Sequence, residues 1–105
     1  MDKRNLIFCA LAISMTGCVD RALTNELQPM VGKNVNELVR RLGYPTNKQD
    51  MLGQHVYNWV VDYQAGDMRP MCTLHVGTDA NDVVLNYSWD GNLVGCDAIR
   101  RRLDQ

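Results

Sequence analysis

The segment NVNELVRRLGYP, residues 34–45, decides the first half of the fold. Its apolar residues recur at the spacing of one helical face: Val35, Leu38, Val39 and Leu42. Asn34 is a suitable N-cap, and Glu37 three residues later completes a capping-box pattern. Gly43 suits the position after a helix and Pro45 prevents continuation. The segment therefore predicts a helix from Val35 to Leu42.

The period changes to alternation in QHVYNWVVDY, residues 54–63, which is rich in strand-forming residues. Two further strands are predicted at residues 71–76 and 83–89, joined by the turn GTDAND. Symmetric closure over this turn predicts three apolar pairs: Val76 with Val83, Leu74 with Leu85, and Cys72 with Tyr87. Residues 48–51 form a possible short strand before the turn at Gly53.

The order of helices and strands predicts an α+β domain, with two short N-terminal helices packed on a three-stranded antiparallel sheet and a short C-terminal helix. The C-terminal helix is predicted at Asp97 to Leu103, after a chain reversal at Asp90-Gly91-Asn92. Upstream, residues 20–27 form either a weak helix that Pro29 closes or a flexible tether.

The N-terminus resembles a bacterial lipoprotein signal. Two cations at Lys3 and Arg4 precede an eight-residue apolar core, residues 6–13, which is too short to span a bilayer. Small residues then lead to Cys18, as in a lipobox, with Met15 where Leu is usual. The resemblance implies cleavage before Cys18, a diacylglycerol on its sulfur and an acyl chain on its new amine. The alternative is an ordinary secretory signal with a chance cysteine.

The chain then divides into a signal peptide at 1–17, a lipidated tether and weak helix at 18–30, and the α+β domain at 31–105. By analogy with enteric lipoproteins, Val19 after the cysteine predicts the periplasmic face of the outer membrane. The net charge of -1 gives no general attraction to nucleic acid. The 46% of hydrophobic residues argue against disorder.

Two of the four cysteines remain for pairing once Cys9 leaves with the signal and Cys18 is lipidated. In an oxidising periplasm we expect Cys72 and Cys96 to form a disulfide that stabilises the domain. A metal or redox pair is the alternative, which the missing CxxC pattern and the missing histidine cluster disfavour.

The stretch MVGKNVNELVRRLGYP, residues 30–45, followed by Gly53 and the aromatic strand VYNW at 56–59, resembles the SmpA/OmlA (BamE-like) family of small outer-membrane lipoproteins. The Cys72 strand and the ending WDGN…C at 89–96 resemble its disulfide-bearing members. The resemblance implies two helices on a three-stranded sheet at the outer membrane. The best-known branch is an accessory of the β-barrel assembly machine. This chain lacks that branch's Asn-Gln-Gly segment before the helix.

The sequence contains little that indicates catalysis, so we expect no enzyme, metal, cofactor or small-molecule substrate. His55 and His75 fall on separate predicted strands and favour structural roles. The run DAND at residues 79–82 resembles part of a calcium loop but is better interpreted as a hairpin turn. Four aromatic residues favour core packing over a binding surface: Tyr57, Trp59, Tyr87 and Trp89.

The predicted function is a lipid-anchored protein-interaction module in outer-membrane integrity or outer-membrane protein assembly, with an envelope protein as partner. The alternative is an inhibitor or immunity-type binder of one periplasmic protein, and an enzyme is a third hypothesis. The candidate partner-binding residues lie in predicted loops and in the last helix: Tyr44, Asp67, Asn92, Arg100, Arg101 and Arg102. The arginine run is either a solvated face matched to the helix dipole or a site for headgroups or acidic partners.

Overall fold

The computed structural model describes the backbone of residues 15–104 and the side chains of residues 21–104. The predicted cationic and apolar regions of the signal peptide, and the side chain of Cys18, lie outside the described residues. The elements in chain order are α1 (Met15–Leu27), a 3-10 turn (Gln28–Met30), α2 (Asn36–Leu42), β1 (Asn47–Met51), β2 (Gln54–Asp62), β3 (Met71–Thr78), β4 (Val84–Gly91) and α3 (Leu93–Leu103).

The fold is α+β, as predicted, but the antiparallel sheet has four strands in the order β1-β2-β3-β4. The prediction of three strands was wrong because β1 pairs fully with β2. Leu52 and Gly53 connect the two strands, with φ angles of 50° and 78°. Two consecutive positive φ angles are typical of a tight hairpin turn whose twist matches that of the strands.

Helix α2 confirms the predicted amphipathic helix, but its N-terminus differs from the predicted capping box. The helix begins at Asn36, and Val35 occupies the cap without a side-chain bond. Asn34 Oδ1 accepts from the Asn36 backbone N–H instead, at 2.9 Å. Glu37 pairs with Arg40 at 2.8 Å, so its carboxylate does not reach back to the cap.

Helix α3 begins four residues earlier than the predicted Asp97. Asn92 is its N-cap and accepts from the Gly95 backbone N–H at 2.9 Å. Gly95 allows the first turn of the helix to lie directly on β3, since a Cβ there would meet the Met71 backbone at 2.3 Å. Chain reversal and helix start therefore occur within the same few residues.

The segment before α2 is a packed helix, and the flexible-tether alternative is wrong for residues 21–30. Leu23 and Leu27 of α1 are fully buried, and so is Met30 in the following 3-10 turn. Helix α1 packs against α3, and Tyr87 of β4 donates a hydrogen bond to Gln28 Oε1 at 2.7 Å. Buried side chains are thus found from Leu23 onward, five residues after Cys18 in the sequence.

The β3–β4 hairpin is present, but its predicted register was wrong by four residues. Val76 pairs with Tyr87, and Leu74 pairs with Trp89. A bulge places one extra residue in β4, since Thr78 pairs with Val84 while Gly77 pairs with Asn86. The bulge turns Val84 into the core and leaves Leu85 43% exposed.

One face of the sheet forms the core with all three helices. The buried side chains come from both layers: Leu23, Leu27, Leu38, Leu42, Tyr57, Trp59, Val61, Leu74, Val76, Val84, Ile99 and Leu103. Trp59 Nε1 donates to the Gly43 carbonyl at 2.9 Å, which joins β2 to the end of α2. Tyr57 and Trp59 confirm the core interpretation of the aromatic residues, and Tyr87 and Trp89 pack partly buried against the same cluster.

Candidate functional site

The disulfide between Cys72 and Cys96 confirms the predicted pairing. It joins the start of β3 to the first turn of α3, with a Cα–Cα distance of 4.9 Å and both residues buried. Cys96 lies inside α3, so the bond fastens the helix to the sheet at the end where the helix begins. This end of the domain, which also holds the β2–β3 loop, is called the disulfide end below.

The three predicted loop sites differ in their structural roles. Tyr44, directly after α2, is 91% exposed, and Asp67 is exposed in the β2–β3 loop. The Asn92 amide is already occupied, because it accepts from the Met71 and Gly95 backbone N–H groups and donates to the Arg69 carbonyl. Asn92 therefore fixes the helix start, and its role in partner binding stays a prediction.

The three arginines near the C-terminus do not form one common surface. Arg100 and Arg101 both pair with Asp97, at 2.8 and 2.9 Å, and the Arg100 guanidinium holds the pKa of Asp97 below its usual value. Arg102 is exposed. The run is partly engaged within its own helix, which favours the solvated, dipole-matched interpretation for Arg100 and Arg101.

The sheet face opposite the helices is called the outer face, and no described helix covers it. A chain of polar side chains crosses all four strands there. Asn58 donates to Asn47 at 2.6 Å, His75 shares a hydrogen bond with Asn58 at 2.6 Å, and the other ring nitrogen of His75 lies 3.4 Å from Asp90. Asn58 is only 6% exposed. The outer face is thus polar along this line, with its side chains hydrogen-bonded to one another, and Val60 is exposed beside them.

A second group of polar side chains lies at the opposite end of the sheet from the disulfide, and we call it the turn-end cluster. It comprises Lys48, Asp50, His55, Tyr57 and Asp82. Asp50 contacts His55 Nδ1 at 2.5 Å, and Tyr57 donates to Asp82 Oδ1 at 2.5 Å. The second ring nitrogen of His55 lies 4.0 Å from Asp82, and Lys48 lies over the Tyr57 ring.

The environment of the turn-end cluster favours a protonated phenol at Tyr57. Burial and the hydrogen bond to Asp82 raise the pKa of Tyr57 to about 12. Among the described residues, no group of three or more His, Cys, Asp or Glu side chains is arranged to hold a metal ion. The cluster therefore closes the turn end of the core with hydrogen bonds and charges.

The sequence analysis did not predict the turn-end cluster, although the contact of Asp50 with His55 could have been inferred from the turn between β1 and β2. A two-residue turn at Leu52 and Gly53 places Asp50 directly opposite His55, as the pairing in the sheet shows. The partner of Tyr57 had no such signal, because Asp82 lies in a different hairpin with a φ angle of 65°. The run 79–82 is a turn, as predicted, since Asp79 Oδ1 accepts from the Asn81 and Val83 backbone N–H groups.

The disulfide end carries an apolar groove with a volume of about 250 Å³. Its lining residues come from the β2–β3 loop and the start of α3: Met68, Arg69, Pro70, Asn92, Leu93 and Val94. Three of the lining side chains are apolar and exposed, Met68 (49%), Leu93 (40%) and Val94 (41%), and Met71 (43%), the residue after Pro70, is exposed as well. These four side chains are called the apolar rim. Apolar side chains clustered in this way indicate a contact surface more strongly than isolated ones do.

Comparisons with known proteins identify no relative. No family model, curated protein or solved structure matches this chain. Within residues 15–104, no helix is both long enough and apolar enough to cross a membrane. The resemblance of residues 30–96 to the SmpA/OmlA lipoproteins therefore stays a prediction.

Proposed function

We propose that this protein is a lipoprotein anchored through Cys18 to the periplasmic face of the outer membrane, where it acts as a protein-interaction module. Its role would be in envelope integrity or in the assembly of outer-membrane proteins. The lipobox-like sequence supports the anchor, and a buried disulfide is consistent with an oxidising compartment. The resemblance to the SmpA/OmlA lipoproteins supports the role.

The observation that carries the interaction role is the uncovered outer face. Its side chains already hold one another in fixed positions through the Asn47, Asn58, His75 and Asp90 chain. A partner that docks there meets a preorganised surface, so little side-chain entropy is lost on binding. Val60, 44% exposed, supplies an apolar contact beside these polar groups.

In-cell photo-crosslinking tests this proposal. Probes replace Val60 and Ser88 on the outer face, and Leu52 in the β1–β2 turn serves as the exposed control position. We expect the two outer-face probes to capture a subunit of an envelope complex and the control to capture much less. Equal capture from all three positions would contradict a specific outer-face interaction.

Lipidation is tested separately with Cys18→Ser. We expect the wild-type chain to gain the mass of a diacylglyceryl and an acyl group, and to sediment with membranes. The Cys18→Ser chain, exported behind a conventional cleavable secretory signal in place of residues 1–17, should fold, remain soluble and fail to support the envelope function. Full function of an unlipidated form would overturn the anchored role.

Tyr44 favours a second candidate, an inhibitor or immunity-type binder of a single periplasmic protein. An aromatic side chain that is 91% exposed beside Pro45 is the kind of anchor found at interface hot spots. This candidate predicts a one-to-one complex that Tyr44→Ala weakens, while Val60→Ser leaves it unchanged. The reverse result would favour the outer-face module.

A further inference from the structure

The packing of α1 against α3 locates the attachment point of the lipid relative to the rest of the domain. Glu26 of α1 lies beside Arg100 and Asp104, so the C-terminal ends of the two helices are together. Since the helices pack side by side, their N-terminal ends point toward the same end of the domain. That end is the disulfide end, where α3 begins at Leu93.

Helix geometry places Cys18 level with the apolar rim. The backbone of Cys18 belongs to α1 and precedes Glu26 by eight residues, which is about 12 Å along a helix. Leu93 precedes Arg100 by seven residues, which is about 10 Å along α3. Cys18 can move only a short distance from this end of the domain, because Leu23, only five residues later, is fully buried.

We infer that the apolar rim rests on the bilayer that holds the lipid anchor, with Met68, Met71, Leu93 and Val94 inserted at the membrane surface. The inference rests on the proposed lipidation of Cys18. A lipid that leaves the domain at the level of the rim holds the bilayer against these side chains, and apolar side chains gain from leaving water there. The strands then stand on the membrane, and the outer face remains free for a partner.

The opposite end of the sheet supplies a matched control surface. The nine-residue strand β2 separates the two ends by about 25 Å. Leu52, in the β1–β2 turn, is apolar like the rim residues and is fully exposed, whereas the rim residues are partly exposed. Contact with the bilayer should therefore protect the rim and leave the Leu52 turn unchanged, whereas general hydrophobic adhesion would protect both.

Hydrogen exchange of the lipidated full-length mature protein tests the inference. The protein is compared on vesicles of phosphatidylethanolamine and phosphatidylcholine and in mild detergent. The amides of Leu93 and Val94 are sensitive reporters, because the first N–H groups of a helix have no intrahelical acceptor. We expect exchange in residues 66–71 and 93–94 to slow by about tenfold on vesicles, with no change in residues 51–54. Protection should be insensitive to salt, since the contact is apolar.

Paired variants show whether the rim side chains themselves make the contact with the bilayer. Leu93→Ser with Val94→Ser should abolish the protection, whereas Leu52→Ser should retain it; Met68→Ser serves if the double variant fails to fold. A lipidated protein with no rim protection would overturn this inference alone. Absence of lipid on Cys18 would overturn both this inference and the proposed anchor. Protection that requires added envelope protein, and not vesicles, would assign the rim to a protein partner and overturn the inference.

Discussion

Different interactions stabilise the two ends of the sheet. At the disulfide end, a covalent bond and the Asn92 side chain fasten α3 to β3, and the surrounding surface is apolar. At the turn end, the core is closed by the hydrogen bond from Tyr57 to Asp82 and the contact of Asp50 with His55. The stability of the disulfide end therefore depends on redox state and local geometry, whereas the stability of the turn end depends on solvent and pH.

The largest expected effect follows from breaking the disulfide. Cys72→Ala combined with Cys96→Ala removes a cross-link that spans 24 residues, and we expect the free energy of unfolding to fall by about 3 kcal/mol. Denaturant titration of the oxidised wild type and the double variant measures the loss. Reducing agent should lower the stability of the wild type only. An unchanged unfolding midpoint in reduced wild type would contradict this role of the bond.

The second effect tests whether Asn92 secures the disulfide end independently of the covalent bond. Asn92→Ala removes the N-cap of α3 and two further hydrogen bonds to the Met71 and Arg69 backbone, so we expect a loss of about 2 kcal/mol. Asn92→Asp is the matched variant, because its carboxylate can still accept from both N–H groups but cannot donate to Arg69. Thermal unfolding should rank wild type above Asn92→Asp and Asn92→Asp above Asn92→Ala. Equal stability of all three would mean that Asn92 does not secure the disulfide end.

The third effect concerns the turn end. Tyr57→Phe removes the hydroxyl that donates to Asp82 and leaves the buried ring in place, so we expect a loss of about 1 kcal/mol at neutral pH. The sign of the pH dependence is fixed by the raised pKa of Tyr57, about 12 against an ordinary value of 10. The unfolded chain ionises first, so wild type loses stability as the pH rises from 10 toward 12.

Unfolding of both proteins at neutral and alkaline pH checks this sign. The advantage of wild type over Tyr57→Phe should shrink above pH 10, and the tyrosinate absorbance of folded wild type should show one phenol that titrates late. The Tyr87→Phe variant is the control, because its hydroxyl bonds to Gln28 on the exposed side of the fold. An advantage that stays constant with pH would contradict the proposed burial of the phenol.

The sequence predicted elements whose determinants are local. Helix α2 was identified because its apolar spacing and Gly43 lie within ten residues of one another, and Gly43 does adopt a positive φ of 85°. The disulfide was identified because the predicted signal cleavage and lipidation of Cys18 leave only Cys72 and Cys96 to pair. Neither inference needed knowledge of how distant segments meet.

The sequence did not predict features that tertiary contacts decide. The β3–β4 register differs from the predicted one by four residues: Thr78 pairs with Val84, which is three residues beyond the predicted closure, and the bulge adds the fourth. Alternation alone locates neither the residue at which the turn closes nor a bulge. The extension of α3 to Leu93 was missed because Asn92 was assigned to the turn, while its cap geometry depends on Met71 across the fold. In the candidate site, Asp82 meets Tyr57 only after two hairpins have formed.

The smallest expected effect sharpens the contrast between the two ends. The ion pair of Asp62 and Arg69 lies at the disulfide end, and the Arg69 guanidinium lowers the pKa of Asp62. Both side chains are well exposed, so water and salt screen their attraction and the pair should contribute little to stability.

The lowered pKa of Asp62 stabilises the fold only above its unfolded value near 3.8, and this contribution disappears as the pH falls through the pKa of Asp62 in the folded protein. We therefore expect Arg69→Gln to leave the unfolding midpoint unchanged at neutral pH, while NMR titration shows the pKa of Asp62 rising toward 3.8. A large loss of stability in Arg69→Gln would mean that charge also holds the disulfide end, and the two ends would then differ less than their geometry indicates.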